Sequence, residues 1–281
     1  MNATELFEKL GDSVTAVDIF CVAGIVLFGR WLLKTSFGRR ALADSAPRRN
    51  NMPLYLPFIP LFIWFLLLMQ TLSVTKIFLP DLADWQEVLL VNISLCTSSI
   101  LTVVLIVVLV RFSFARRLKG FGLNVKKIHK DFLSALINLL TIWPIVMFAL
   151  VATIYAGELI WGQDFQMQRH EELESIALHP QISVRILIIV TAVVVVPVFE
   201  EMLFRGLFQT MFRSFTRRAW LSILMSSGLF ATVHLNIDHW PALFVLAICM
   251  GYSYEKSGSL FRPIFIHSFF NAISVISTLY Q

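Results

Sequence analysis

Two adjacent carboxylates, Glu200 and Glu201, interrupt one of the most apolar stretches of the chain, and Arg205 follows one helical turn later. An ionisable side chain at the centre of a bilayer costs about 3 kcal/mol on insertion scales, so such residues are rare and face a partner or a polar cavity. Since residues four apart share a helix face, Glu201 and Arg205 can pair while Glu200 points elsewhere. Packing would explain the pair alone. Packing does not explain Glu200, which has no partner at helical spacing. A carboxylate in such apolar surroundings suits general acid or base catalysis.

Two later apolar segments carry histidines. His234 follows Phe230 by four residues and His267 precedes Asn271 by four, so each pair lies on one helix face. An α-helix rises about 1.5 Å per residue, and successive spans run in opposite directions. The number of residues from the span ends therefore places Glu200, His234 and His267 near one depth in the membrane. A single histidine among apolar residues is more often a core residue than a catalyst. Three polar clusters at one depth favour a shared site instead.

Such a site would support hydrolysis of a peptide bond without a serine or cysteine nucleophile. Glu200 with His234 can hold and deprotonate a water molecule, and His267 with Asn271 can donate hydrogen bonds to an oxyanion. The alternative is a zinc ion held by His234, His267 and a glutamate, because catalytic zinc takes three protein ligands. The His-Glu-x-x-His helix of common zinc peptidases is absent from the sequence. We therefore expect direct glutamate chemistry with no cofactor.

The composition is that of an integral membrane protein. Hydrophobic residues make up 57% of the chain and charged residues 15%, which excludes an ordinary soluble domain. Apolar runs of about 20 residues match the length of a helix that crosses a bilayer. The sequence predicts an all-α, multi-pass fold with eight transmembrane helices, at residues 14–33, 53–74, 88–110, 132–156, 183–212, 219–236, 239–255 and 259–280.

The charges predict the topology and limit the partners. Basic residues concentrate in the loops between spans one and two, between spans three and four, and after span five. The positive-inside rule makes these loops cytoplasmic and places both termini outside, in what we expect to be a bacterial cytoplasmic membrane. No soluble segment interleaves aromatic with basic residues, so nucleic acid is not an expected partner. The three cysteines lie inside predicted spans, without metal-ligand spacing: Cys21, Cys96 and Cys249.

The polar chemistry lies in the second half of the chain. Residues 1–130 are predicted to form accessory transmembrane helices with basic cytoplasmic loops, and residues 131–281 a catalytic membrane core. Between the halves, residues 121–133 place apolar side chains near helical spacing with a basic opposite side. This pattern predicts a short interfacial helix that leads into span four.

The three polar clusters, in this order, resemble the motifs of the CPBP family of intramembrane endopeptidases, also called the CAAX protease, bacteriocin-processing or Abi family. The resemblance covers about residues 183–275, with a looser similarity at the Gly-Phe-Gly-Leu stretch before span four. Any one motif alone would be weak, whereas three in order are specific. Glu-Glu-x-x-x-Arg matches Glu200, Glu201 and Arg205; Phe-x-x-x-His matches Phe230 and His234; and His-x-x-x-Asn matches His267 and Asn271.

The resemblance implies a mechanism and a cavity. It implies an eight-helix fold with a conical cavity open towards the cytoplasm and the bilayer. In a glutamic peptidase of this kind, Glu200 would activate water with His234, while His267 and Asn271 would stabilise the oxyanion. Glu201 and Arg205, with the motif residue Phe230, would shape the site. Whether a metal takes part has been argued both ways in the family.

The resemblance also implies the partners, which are membrane lipids and a peptide or lipidated protein as substrate. Eukaryotic members, similar to the Ras-converting prenyl endopeptidases, remove the last three residues of a prenylated CAAX protein. Many bacterial members have no prenylated substrate, and peptide maturation or self-immunity to bacteriocins is implied for them. The sequence predicts no particular oligomeric state.

Two other function classes fit the same polar clusters. A non-catalytic immunity or scaffolding protein would keep them for packing alone. A proton-coupled transporter would use them as a relay, since intramembrane Glu and His also build proton pathways. Transporters of that kind interrupt helices at matching positions of two halves. Pro197 interrupts span five, but span one holds no counterpart, so the transporter is the least favoured of the three.

Overall fold

Helices make up all of the regular structure in the computed structural model, which describes residues 16–79, 81–162, 165–167 and 171–279. Apart from one isolated β-bridge between Asn50 and Phe114, these residues form helices and the turns between them. The predicted outside termini fall on residues 1–15 and 280–281, which lie outside the described residues. The helices are α1 (Ala16–Lys34), α2 (Phe58–Phe78), α3 (Asp84–Ser113), α4 (Arg117–Phe121), α5 (Ile128–Trp161), α6 (Glu171–Leu178), α7 (Ile182–Thr216), α8 (Ala219–Val233), α9 (Trp240–Ser257) and α10 (Phe261–Leu279).

The predicted all-α, multi-pass class is confirmed. Each of the eight predicted spans coincides with a helix: α1, α2, α3, α5, α7, α8, α9 and α10. Within the described ranges, four helical stretches are long and apolar enough to cross a membrane: Phe58–Thr75, Asp84–Ser113, Val125–Trp161 and Ile182–Thr216. Helix α8 is a shorter apolar helix of 15 residues. Its length of about 22 Å is less than the roughly 30 Å of a bilayer's hydrocarbon core.

The single interfacial helix expected over residues 121–133 is wrong. The chain instead ends α4 at Phe121, makes a 3₁₀ turn over Val125–Lys127, and starts the long helix α5 at Ile128. The reason lies at Gly122, which has a φ of +107°. That left-handed conformation terminates α4 and is readily adopted only by glycine.

Helix α7 is the central element of the bundle. It packs against α3 on one side and against α8 and α10 on others, while α5 contacts α1, α9 and α10. Helices α8 and α9 form an antiparallel hairpin, as do α2 and α3. The main apolar core surrounds the C-terminal half of α7, with Phe199, Leu203, Phe204, Leu207 and Phe208 all buried.

A row of polar contacts joins α7 to α9, and we call it the α7–α9 ladder. Each contact joins residues 42 apart, so the two helices run parallel, and each step is one helical turn. Gly251 permits this close approach, because a Cβ there would lie 2.7 Å from the Gln209 side-chain oxygen. The contacts are Arg205 Nη2 to the Ala247 carbonyl at 3.4 Å, Gln209 Nε2 to the Gly251 carbonyl at 3.0 Å, and Arg213 Nε to Glu255 Oε1 at 2.9 Å.

The Gly-Phe-Gly-Leu stretch attaches α4 to the end of the core. The ring of Phe121 is fully buried against Gly206 of α7, where any Cβ would collide with it. The Phe121 carbonyl accepts from the Tyr254 hydroxyl at 2.9 Å. The next carbonyl, that of Gly122, accepts from the Leu260 N–H at 3.0 Å. The stretch therefore ties α7, α9 and the start of α10 together.

Glu255 connects the loop after α1 to the same end of the core. Its buried carboxylate accepts from Arg213 at 2.9 Å and from Arg48 at 3.3 Å. Arg48 also donates to the Tyr254 carbonyl at 2.9 Å and lies 3.4 Å above the Tyr254 ring. These bonds cross the predicted boundary at residue 130, and the division into accessory and catalytic parts stays a prediction.

Replacing Glu255, whose carboxylate forms ion pairs with two arginines, should destabilise the fold. Glu255→Gln leaves Arg48 and Arg213 without a counter-charge in a buried site, and we expect a loss of about 3 kcal/mol. The measurement is thermal unfolding of the purified protein in detergent. Glu174→Gln is the control, since Glu174 is exposed. Equal melting temperatures for the two variants would contradict the role given to Glu255.

Candidate active site

The two glutamates lie on a short α-helical segment of α7 between two π-helical segments. Residues Val196–Glu201 are α-helical, whereas Thr191–Val195 before them and Met202–Gln209 after them are π-helical. Such π segments inside α-helices frequently occur at functional sites. The adjacent carboxylates diverge: the Glu201 side chain is inaccessible, and that of Glu200 is 17% exposed.

Glu201 forms the predicted ion pair and a further contact. Its Oε1 lies 2.8 Å from Arg205 Nη1, and both side chains are wholly buried. The same oxygen lies 3.0 Å from Nδ1 of His267 on α10. One carboxylate oxygen therefore balances the buried guanidinium and orients a histidine on another helix.

Phe230 contacts three of the other site residues. Its ring is fully buried, with the Arg205 guanidinium 4.4 Å from the ring centre. The ring of His234 lies 4.5 Å from it, and that of His267 packs edge-on at 5.7 Å. Its backbone carbonyl accepts from His234 Nδ1 at 2.7 Å. Phe230 was predicted only as a motif residue, and the structure adds that its ring packs against both histidines.

Glu200 meets both histidines at their Nε2 atoms. Its Oε2 lies 3.9 Å from His234 Nε2 and 3.8 Å from His267 Nε2. We placed His234 inside a span, but α8 ends at Val233 and His234 caps it. The structure thus brings together the carboxylate and two imidazoles that the depth argument placed at one level.

The hydrogen-bond partners fix the protons on both imidazoles. A carbonyl or an ionised carboxylate only accepts hydrogen bonds, so Nδ1 carries the proton in His234 and in His267. A neutral ring of this kind presents the lone pair of Nε2 towards Glu200. In the doubly protonated ring, Nε2 of His267 is a donor as well, and the Glu200 carboxylate 3.8 Å away can balance that charge because Glu201 already balances Arg205.

Asn271 is oriented by a free carbonyl of α7. Its Nδ2 donates to the Ala192 carbonyl at 2.8 Å. This carbonyl needs an outside donor because the Val196 N–H bonds to Thr191 in the π-helical pattern, and the next residue, Pro197, has no N–H. A carboxamide nitrogen has two hydrogens, so one stays available for a ligand. The sequence signal was Pro197, which we noted only as a helix interruption.

The site residues need rearrangement to hold zinc. Among the described residues, no group of three or more His, Cys, Asp or Glu side chains has a geometry that could hold a metal ion. Two ligands of a tetrahedral zinc ion lie about 3.3 Å apart. The Glu200 oxygen and the two Nε2 atoms are 3.8 and 3.9 Å apart, so Glu200, His234 and His267 would have to approach by about 0.5 Å.

The conical cavity implied by the resemblance stays a prediction. The chain has one cavity lined by α1, α5, α8 and α9, and another at the connection between α7 and α8. Neither is lined by Glu200, His234 or His267.

The adjacent glutamates should differ in their effect on stability. Glu201→Gln removes the counter-charge of a fully buried arginine, so we expect a loss of about 3–5 kcal/mol. Glu200→Gln keeps the size of a partly exposed side chain and leaves the Glu201–Arg205 pair intact, so its melting temperature should fall much less than that of Glu201→Gln. Thermal unfolding in detergent compares the two. A larger drop for Glu200→Gln would contradict this assignment.

Comparisons with known proteins cover the part of the chain that holds these residues. Residues 182–273 match the family model described as type II CAAX prenyl endopeptidase Rce1-like, and all of the candidate site residues lie within them. An uncharacterized 24.3 kDa protein of Escherichia coli is 27% identical over 121 residues, which are 42% of this chain and 56% of that protein, so the match spans little more than half of the relative. No solved structure matches. The part of this integral membrane protein that holds the site, residues 182–273, is thus similar to the Rce1-like family of type II CAAX prenyl endopeptidases.

Proposed function

We propose that the protein is an intramembrane endopeptidase in which Glu200 activates water to hydrolyse a peptide bond near the C-terminus of a membrane-associated substrate. The observation that carries the proposal is the position of Glu200 Oε2, 3.9 Å and 3.8 Å from the Nε2 atoms of two imidazoles. The neighbouring Glu201 is committed to Arg205 and His267. Glu200 is thus the glutamate of the pair that can exchange a proton with a ligand.

The first step is the deprotonation of water. A water molecule about 2.8 Å from Glu200 and from His234 would form the apex of a triangle over the two side chains. Glu200 accepts one water proton while Nε2 of neutral His234 accepts a hydrogen bond from the other hydrogen. The water oxygen then forms a bond to the carbonyl carbon of the scissile peptide, and the carbonyl oxygen takes up the negative charge.

The second step is the collapse of the tetrahedral intermediate. Nε2–H of doubly protonated His267 and the second Nδ2–H of Asn271 donate to the oxyanion. Donors fixed in advance are the ones that lower such barriers, and Glu201 and the Ala192 carbonyl hold these two in place. The C–N bond breaks as Glu200 returns its proton to the leaving amine. This gives a free amine and a carboxylic acid and restores the ionised glutamate.

The proposed substrate is a lipidated or membrane-anchored peptide, including a prenylated CAAX sequence. The matched family description names a prenyl endopeptidase, and the site lies on helices that are apolar over most of their length. A substrate that carries its own apolar anchor reaches such a site by lateral diffusion in the membrane.

Cleavage of a fluorescence-quenched farnesylated CAAX peptide by the purified protein tests the proposal. We expect Glu200→Gln and His234→Ala to lower the cleavage rate by at least about 10³-fold, since a general base and its partner are removed. Glu174→Gln should match the wild type. Full activity of a folded Glu200→Gln variant would refute the mechanism. The same peptide without the farnesyl group measures what the lipid contributes.

Treatment with a chelator distinguishes the zinc-dependent mechanism from the glutamate mechanism. Glutamate chemistry predicts that cleavage is unaffected by prolonged treatment with a strong chelator. Activity lost to the chelator and restored by zinc would instead assign Glu200 and both histidines as ligands. No hydrolysis of any peptide by a folded protein would favour the non-catalytic immunity or scaffolding role.

Orientation of Asn271 by the interrupted helix gives a prediction of its own. Asn271→Ala removes an oxyanion donor and should lower kcat by about 10²-fold. Pro197→Ala supplies an N–H that can compete for the Ala192 carbonyl, so we expect a smaller drop in kcat, of about tenfold, with KM little changed. Pro144→Ala is the control, because Pro144 lies inside α5 and contacts Gly24 of α1. Unchanged kcat in a folded Pro197→Ala variant would show that the free carbonyl does not position the amide.

A further inference from the structure

A cavity of about 550 Å³ lies at the predicted cytoplasmic end of the bundle, between the loop after α1 and the connection from α7 to α8. Its lining includes both basic and apolar residues, and we call it the arginine cavity. Four of the lining residues are arginines: Arg39, Arg213, Arg217 and Arg218. The apolar residues of its lining include Leu42, Trp220, Leu221 and Leu224.

Among the residues that the structure describes, three of the four arginines have no acidic partner. Arg213 is bound to Glu255, to the Ser45 carbonyl and to the Arg217 carbonyl. Arg39, Arg217 and Arg218 are exposed, and no acidic side chain in the described ranges forms an ion pair with them. Like charges that line one cavity repel each other, and an anion bound there would relieve that repulsion.

The apolar part of the lining continues along α8. Leu221 and Leu224 are 41% and 42% exposed, and Met225 is 38% exposed beside them. The spacing of three and four residues puts these side chains on one face of α8. Trp220 lies at the start of this strip and donates from Nε1 to the Gly38 carbonyl at 3.2 Å, and tryptophan is typical of the membrane–water interface. A ligand for this surface needs a negative head and an apolar chain.

We propose that the arginine cavity binds one anionic phospholipid. Its phosphate lies among Arg39, Arg217 and Arg218, and an acyl chain lies along Leu221 and Leu224. A small free anion would satisfy the arginines but would leave the apolar strip uncovered. The bound lipid joins the loop after α1 to the start of α8. The proposal does not depend on the proteolytic function.

The test is binding of phosphatidylglycerol to the full-length protein in neutral detergent, followed by native mass spectrometry and thermal unfolding. Phosphatidylcholine with the same acyl chains is the lipid control. A cation near a membrane surface contributes about fivefold to the affinity for an anionic lipid, so Arg217→Gln/Arg218→Gln should raise the apparent Kd by about 25-fold.

The chain offers a closely matched control pair. Arg116 and Arg117 are adjacent and exposed in another predicted cytoplasmic loop. Arg117 has a φ of +50° and Arg217 one of +57°, so Arg116→Gln/Arg117→Gln removes the same charge from the same kind of backbone. This variant should bind phosphatidylglycerol like the wild type. Arg39→Gln, on the opposite wall, should raise the Kd about fivefold and tests the cavity should the double variant not fold.

Three results would overturn the proposal. If both double variants weakened phosphatidylglycerol binding equally, the result would show only a general attraction of anionic lipid to a basic face. Equal binding of phosphatidylcholine would show that the arginines take no part. Stabilisation of the same size by inorganic phosphate or glycerol 3-phosphate would show a site for small anions without a chain.

Discussion

The architecture depends on neutralising one buried cation. The guanidinium of Arg205 is wholly inaccessible, and an unpaired charge in such a place costs several kcal/mol. Glu201 provides the counter-charge from one helical turn away, the Ala247 carbonyl accepts a hydrogen bond, and the face of Phe230 covers the cation. These partners come from α7, α9 and α8. Because each must be in place for the charge to be balanced, satisfying Arg205 fixes the mutual positions of the three helices.

The same requirement divides the work between two adjacent carboxylates. Glu201 is held by Arg205, and its Oε1 also fixes His267 from α10. Glu200, on the next face of the helix, takes no part in that pair and meets Nε2 of His234 and of His267. A single glutamate could not do both, since the Glu201 oxygen is already occupied by Arg205 at 2.8 Å and by His267 at 3.0 Å. The spacing Glu-Glu-x-x-x-Arg therefore has a physical meaning: a carboxylate that balances the arginine lies beside one that faces both imidazoles.

Much of this could be predicted from the sequence, and the failures have identifiable causes. Long apolar runs located the helices, and helical spacing gave the Glu201–Arg205 pair, because both are local properties of the chain. The orientation of Asn271 was missed because it depends on the π-helical register, which frees the Ala192 carbonyl and which no residue pattern specifies. The roles of Glu255 and Phe230 depend on partners that are distant in the sequence. The expected interfacial helix failed at Gly122, where a single left-handed residue outweighed an amphipathic pattern.

The side chains of the candidate site are more exposed on one side of the site than on the other. The side chain of His234 is 23% exposed and that of Glu200 17%, whereas His267 is 6% exposed and Glu201 is inaccessible. The side of the site at the end of α8 is therefore the more exposed one, and the side of α10 is the more buried one. The turn that follows α8 borders this opening with apolar side chains, since Leu235 is 92% and Ile237 80% exposed. Apolar residues beside the open face of a polar site suit a ligand that brings an apolar anchor and a polar peptide bond together. The end of α8 thus combines two features, because the His234 imidazole lies next to Glu200 and the turn that follows provides an apolar edge where the proposed membrane-anchored substrate can approach both.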